Sequence, residues 1–116
     1  MDFRRLFQHP AGLKNLGPEE IQQLCASNPN VRIVDVRTPG EFRQGHIEGA
    51  LLAPLGQTTK VVKDWPRDTA LVLVCHSGHR SQTAAHELIQ LGFQDVSHLA
   101  GGMMSWVRRG APYVRK

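Results

Sequence analysis

The densest chemistry in this sequence lies in Cys75-His76-Ser77-Gly78-His79-Arg80-Ser81, which brings a thiol, two imidazoles, a guanidinium and two hydroxyls into seven residues. A thiol attacks as its thiolate, and an unperturbed thiol, with a pKa of about 8.5, is only a few per cent ionised at pH 7. Lowering such a value by about two pH units takes ~2.7 kcal/mol, whereas a helix N-terminus supplies ~0.3–1 kcal/mol. The rest must come from backbone N–H groups converging on the sulfur, the fixed charge of Arg80, and a protonated His76 or His79. Gly78 permits the backbone angles that such a nest of amides requires. A cysteine that merely ends a buried strand acts as a small hydrophobe and needs no His-Gly-His-Arg run behind it. Cys75 therefore reads as a nucleophile, and His76 to Ser81 as a cradle for a thiolate or a small anion.

The flanking elements must present that loop. Ala70-Leu71-Val72-Leu73-Val74-Cys75 is nearly all apolar, as in a parallel strand covered on both faces. A helix from Ser81 to Leu91 follows, stopped by Gly92. Val31 to Val36 predicts a second strand, and Gly49 to Leu52 and Val96 to Leu99 predict shorter ones. Helices are expected from Pro18 to the Ser27-Asn28-Pro29-Asn30 break, and over Pro39–Gln44, Thr58–Lys63 and Met103–Arg109. This alternation predicts a single three-layer α/β domain over residues 12–112, with a mostly parallel sheet of about five strands and helices on both faces. Residues 1–11 form an N-terminal extension. In such sheets ligands bind beyond the carboxyl ends of the strands, which is where Cys75 falls. Asp35 and Arg37 end the second strand on the same edge, and support of the loop through an ion pair is expected of them ahead of ligand contact.

Composition narrows the function classes. The chain has 116 residues with 41% hydrophobic and 21% charged, an ordinary globular balance that needs neither metal nor disulfide to hold a core. Its charge of +4 is spread singly or in pairs, with no basic block on one face, so no nucleic-acid partner is expected. No apolar run approaches signal-peptide or membrane-span length, so a cytoplasmic protein without a membrane partner is expected. The two cysteines suit neither a disulfide scaffold nor a zinc site. Cys25 sits on an apolar helical stripe with Ile21 and Leu24 and reads as inert packing. His76 and His79 adjoin Cys75, where a bound metal would occupy the thiolate, the remaining histidines do not pair at helical spacing on a common face, and no metal or other cofactor is called for.

Three separated blocks together resemble the rhodanese homology domain in its single-domain form. They are Val34-Asp35-Val36-Arg37-Thr38-Pro39-Gly40-Glu41-Phe42 running on to Gly45-His46-Ile47-Glu48-Gly49-Ala50; the loop from Cys75 to Arg80; and Leu99-Ala100-Gly101-Gly102-Met103-Met104-Ser105-Trp106. The resemblance implies a thiosulfate sulfurtransferase that works through a Cys75 persulfide. Its partners would be a small sulfur oxyanion as donor and cyanide, a thiol or a sulfur-accepting protein as acceptor. Arg80 and His79 would then bind the donor's sulfonate end, and the amides from His76 to Ser81 the sulfur. Glu41 and His46 belong to the signature and are expected to fix a local turn. Loops of good thiosulfate turnover often carry a second Lys or Arg where this chain has His79. A persulfide carrier with little turnover is the alternative. Cysteine-dependent phosphatases and arsenate reductases are further off, because the phosphatase loops hold five residues between cysteine and arginine and this chain holds four.

Overall fold

The computed structural model describes residues 12–115, so the N-terminal extension of residues 1–11 lies outside the described residues. Among the described residues five strands and five helices follow one another: β1 (Leu13–Leu16), α1 (Pro18–Ser27), β2 (Arg32–Asp35), α2 (Pro39–Gln44), β3 (Leu51–Leu52), α3 (Thr58–Val62), β4 (Ala70–Val74), α4 (His79–Gln90), β5 (Asp95–Leu99) and α5 (Gly102–Arg108). The strands form one sheet in the order β1-β5-β4-β2-β3, and every pairing is parallel. β4, the most apolar strand, is central, as the sequence led one to expect.

Strand alternation splits the core into two layers. Leu71, Leu73 and Cys75 face one side with Val34, Val36, Val96 and the inner face of α4. Val72 and Val74 face the other with Ile33, Ile21 of α1, and Met103 and Trp106 of α5. Burying both faces of β4 fixes its register, since a slip of one residue would exchange the two layers.

Two expectations need correction. β1 had not been predicted, because Leu13-Lys14-Asn15-Leu16 is short and only Leu13 is buried; it becomes a strand by pairing with β5. The long helix begins at His79 and not at Ser81. Gly78 caps it at a left-handed φ of +103°, so the chain turns directly out of the loop into α4, and His79 and Arg80 belong to its first turn. Among the described residues no helix is long and apolar enough to cross a membrane.

Candidate active site

Cys75 follows β4 at the carboxyl edge of the sheet and is fully buried. Its sulfur accepts the Gly78 N–H at 2.9 Å and lies 3.4 Å from Ser81 Oγ. The expected convergence of all amides from His76 to Ser81 on the sulfur is reduced here to that of Gly78. His76, Ser77 and His79 are exposed and Gly78 and Ser81 buried; Ser77 Oγ and His79 Nδ1 are 3.1 Å apart.

The loop is held from behind by α5. The N–H of Met103 donates to the Cys75 carbonyl at 2.8 Å and that of Met104 to the His76 carbonyl at 3.1 Å. This approach is possible only because position 102 is glycine. Its φ is +63°, and a methyl group there would overlap the carbonyls of Cys75 and His76. Gly101, also left-handed, caps α5 and faces Gly78 so closely that a Cβ on Gly78 would stand 3.3 Å from the Gly101 nitrogen.

Arg80, expected to bind the donor, is engaged by a carboxylate of the protein itself. It forms a two-pronged ion pair with Glu41, Nη1 to Oε1 at 2.7 Å and Nη2 to Oε2 at 2.8 Å. Glu41 also closes a capping box with Thr38 at the start of α2. The hydrogen bonds from Arg80, outweighing burial, hold the Glu41 carboxyl at about 2. The Arg80 guanidinium is pushed up by Glu41 first, and by the nearby charge of Cys75 to a lesser degree. Glu41 thus reaches beyond the local turn expected of it. The Thr38-Pro39-Gly40-Glu41 pattern explains its capping role, but nothing in the sequence announces a partner thirty-nine residues away.

Asp35 and Arg37 form a second pair, almost wholly buried. Arg37 Nε and Nη2 donate to the Asp35 carboxylate at 2.9 and 2.8 Å, and Nη2 also donates to the Gly45 carbonyl at 2.8 Å. The pair ties the end of β2 to the turn after α2. There His46 stacks on Phe42 with ring centres 3.6 Å apart. Beside it opens a cleft of about 540 Å³ whose lining includes Arg37, Glu41, His76, Met104, Arg108 and Tyr113. Cys25 lies in the opposite core layer, where burial raises its thiol pKa. Among the described residues no group of three His, Cys, Asp or Glu side chains is placed to hold a metal ion.

Two side chains that the sequence reading passed over complete the surroundings of the thiol. Ser81 Oγ lies 2.8 Å from Nδ1 of the buried His98, whose Nε2 lies 2.6 Å from Asn15 Oδ1. The signal in the sequence is a histidine that alternates with the apolar Val96 within the predicted strand Val96 to Leu99; its neighbour Asn15 sits on the unpredicted strand.

Comparison with known proteins agrees with the architecture. The family model of the rhodanese-like domain matches residues 17–109. The chain is 36% identical over 102 residues to a sulfurtransferase of Allochromatium vinosum, covering 88% of this chain and 95% of that one. It is 36% identical over 93 residues to the thiosulfate sulfurtransferase GlpE of Pseudomonas aeruginosa, covering 80% and 83%. Among solved structures, a rhodanese-related protein of Thermoplasma volcanium matches with a TM-score of 0.77 and 27% identity, over 89% of this chain and 99% of that one.

Proposed function

The chain belongs to the rhodanese-like domain family, and from that membership we propose that residues 12–112 move sulfane sulfur from a donor such as thiosulfate to a thiol or cyanide through a persulfide on Cys75. The observation that carries this reading is a thiol at the carboxyl end of the central strand, bonded to the Gly78 amide at 2.9 Å and set against the N-terminus of α4. A thiolate there draws on the amide, the helix dipole and the charge of Arg80 together.

The reaction is two displacements at sulfur. The Cys75 thiolate attacks the outer sulfur of thiosulfate, the donor's S–S bond breaks, and sulfite leaves with the electron pair. The acceptor thiolate or cyanide then attacks the terminal sulfur of the persulfide and leaves as a persulfide or thiocyanate, restoring the Cys75 thiolate. Because Cys75 is buried, the donor reaches it past His76 and Ser77, the exposed residues of the loop. The short span of four residues between Cys75 and Arg80 favours one sulfur atom over a tetrahedral phosphate. The Asp35–Arg37 pair holds the neighbouring strand end.

The test is to incubate the protein with thiosulfate and read intact mass and cyanolysable sulfur beside Cys75→Ser. A gain of one sulfur that the variant lacks supports the reading, and no gain from any sulfane donor overturns it. Sulfur uptake without turnover on cyanide would mark the persulfide carrier. An aryl phosphate should not be hydrolysed.

A further inference from the structure

The register of the sheet brings polar side chains together on a face that is otherwise apolar. On the α4 side, Leu13, Val96 and Leu73 extend the core. By alternation the next residues on that side are Asn15, His98 and Cys75. β1 pairs with β5 so that Asn15 lies beside His98, and β5 pairs with β4 so that His98 lies beside Leu73. His98 is 3% exposed and Ser81 fully buried. Buried polar groups are costly unless bonded, and these are bonded in series.

We propose that Asn15, His98 and Ser81 form a relay that ionises Cys75, with His98 holding the proton; this rests on the reading of Cys75 as the nucleophile. With the thiol protonated, His98 Nε2–H donates to Asn15 Oδ1 at 2.6 Å, which leaves Nδ1 as an acceptor. Ser81 O–H donates to that nitrogen at 2.8 Å, and Ser81 Oγ accepts the Cys75 S–H at 3.4 Å. When the S–H bond breaks, its proton passes to Ser81 Oγ while the hydroxyl's own proton passes to His98 Nδ1, and the electron pair stays on sulfur. The products are a thiolate that accepts from Gly78 N–H and Ser81 O–H, and an imidazolium that donates to Ser81 and Asn15. No heavy atom has to move, and Asn15 Oδ1 accepts in both states. The hydroxyl's other acceptor, the Gly78 carbonyl, lies farther off at 3.2 Å.

His98 is a positioning residue, two hydrogen bonds from the sulfur. Among the described residues, the other charged or titratable groups near the thiol are Arg80 on α4 with its partner Glu41 on α2, the Asp35–Arg37 pair at the end of β2, and the exposed His76 and His79. Near His98, β1 and β5 carry Lys14 and Asp95, an exposed pair whose side chains alternate to the opposite face. Arg80 and the Gly78 amide stabilise the thiolate once it exists. The relay adds a place for the proton, which a histidine held only as core packing would not supply.

Two measurements on the full chain test this. In ¹⁵N imidazole spectra near neutral pH, without donor, His98 should carry protons on both nitrogens in the wild type and on Nε2 alone in Cys75→Ala; a neutral ring in both overturns the relay. Iodoacetamide alkylation at pH 7, read by mass at the Cys75 peptide, should slow about tenfold or more in His98→Gln, and its rate profile should move alkaline, because glutamine keeps hydrogen bonds but takes no proton. Wild-type rates in that variant overturn the relay; if His98→Gln does not fold, the wild-type spectra decide. Sulfur uptake with a neutral His98 would sink the relay alone, whereas coupled ionisation of His98 and Cys75 with no sulfur uptake would sink the sulfur-transfer reading alone.

Discussion

Replacing Glu41 by glutamine isolates the charge that holds Arg80. The glutamine can still accept from Thr38 N through its amide oxygen, the bond that Glu41 Oε1 makes at 3.0 Å, so the helix start is kept while the ion pair is lost. In the folded protein the Glu41 carboxyl titrates at about 2 against an ordinary value of 4.5, chiefly because of Arg80. Taken at face value that difference is ~3.4 kcal/mol. Both side chains are about a third exposed, at 34% and 31%, and screening together with the ordering of two long side chains leaves ~1–2 kcal/mol. Above the ordinary carboxyl range Glu41 is ionised folded and unfolded, and the stabilisation is complete. As pH falls through about 4.5 the unfolded chain takes up the proton first, and the contribution fades until the folded carboxyl also titrates near 2. Urea unfolding followed by the fluorescence of Trp65 and the buried Trp106 should therefore show Glu41→Gln less stable by ~1–2 kcal/mol at pH 7, and the difference should vanish as the pH approaches 2. Profiles that stay parallel from pH 7 to pH 2.5 would refute the argument. Glu19, lowered by the exposed Arg109, serves as a control whose replacement by glutamine should change the profile far less.

Gly102→Ala should cost at least ~2–3 kcal/mol in unfolding free energy, since the methyl group combines left-handed strain with overlap on the loop carbonyls, and should abolish persulfide formation. Gly49→Ala, also left-handed but with open space around the added carbon, should cost less and leave sulfur uptake intact. Arg108 lines the cleft beside His76 without a carboxylate partner among the described residues, which would suit it to an anionic acceptor. Arg108→Glu should raise KM for a thiol carrying two carboxylates by roughly three- to tenfold at low salt, less at high salt, and leave KM for cyanide nearly unchanged; equal effects on both acceptors would refute a role for that cleft.

Local signals carried most of the architecture. The period switched clearly between strand and helix along Ala70 to Leu91, and the prolines and glycines that bound α1, α2 and α4 sit where their backbone preferences put them. What escaped was non-local. β1 has two polar residues in four and owes its existence to β5. Glu41 and Arg80 meet because two parallel strands end side by side, and no spacing rule spans that distance. Asn15 and His98 meet through register, which can be read only once β1 is known to pair there. The helix start was misplaced because Gly78-His79-Arg80 looks like loop, whereas a single left-handed glycine lets the helix begin at once.

That early start bears on how the loop works. Trans peptide planes set each carbonyl opposite the N–H of the following residue. With the carbonyls of Cys75 and His76 fixed by the Met103 and Met104 amides on the α5 side, the N–H groups of His76 and Ser77 are turned away from α5. The Gly78 amide is left to meet the sulfur at 2.9 Å. On the proposed reading, the thiolate is held by Gly78, and the amides of His76 and Ser77 stay available to the second sulfur once the persulfide has formed. The paired glycines at 101 and 102 matter because α5 must come within hydrogen-bond distance of the loop backbone to set those planes. Any side chain at position 102 would push α5 back and release them, so the orientation of the loop depends as much on the last helix as on the loop's own sequence.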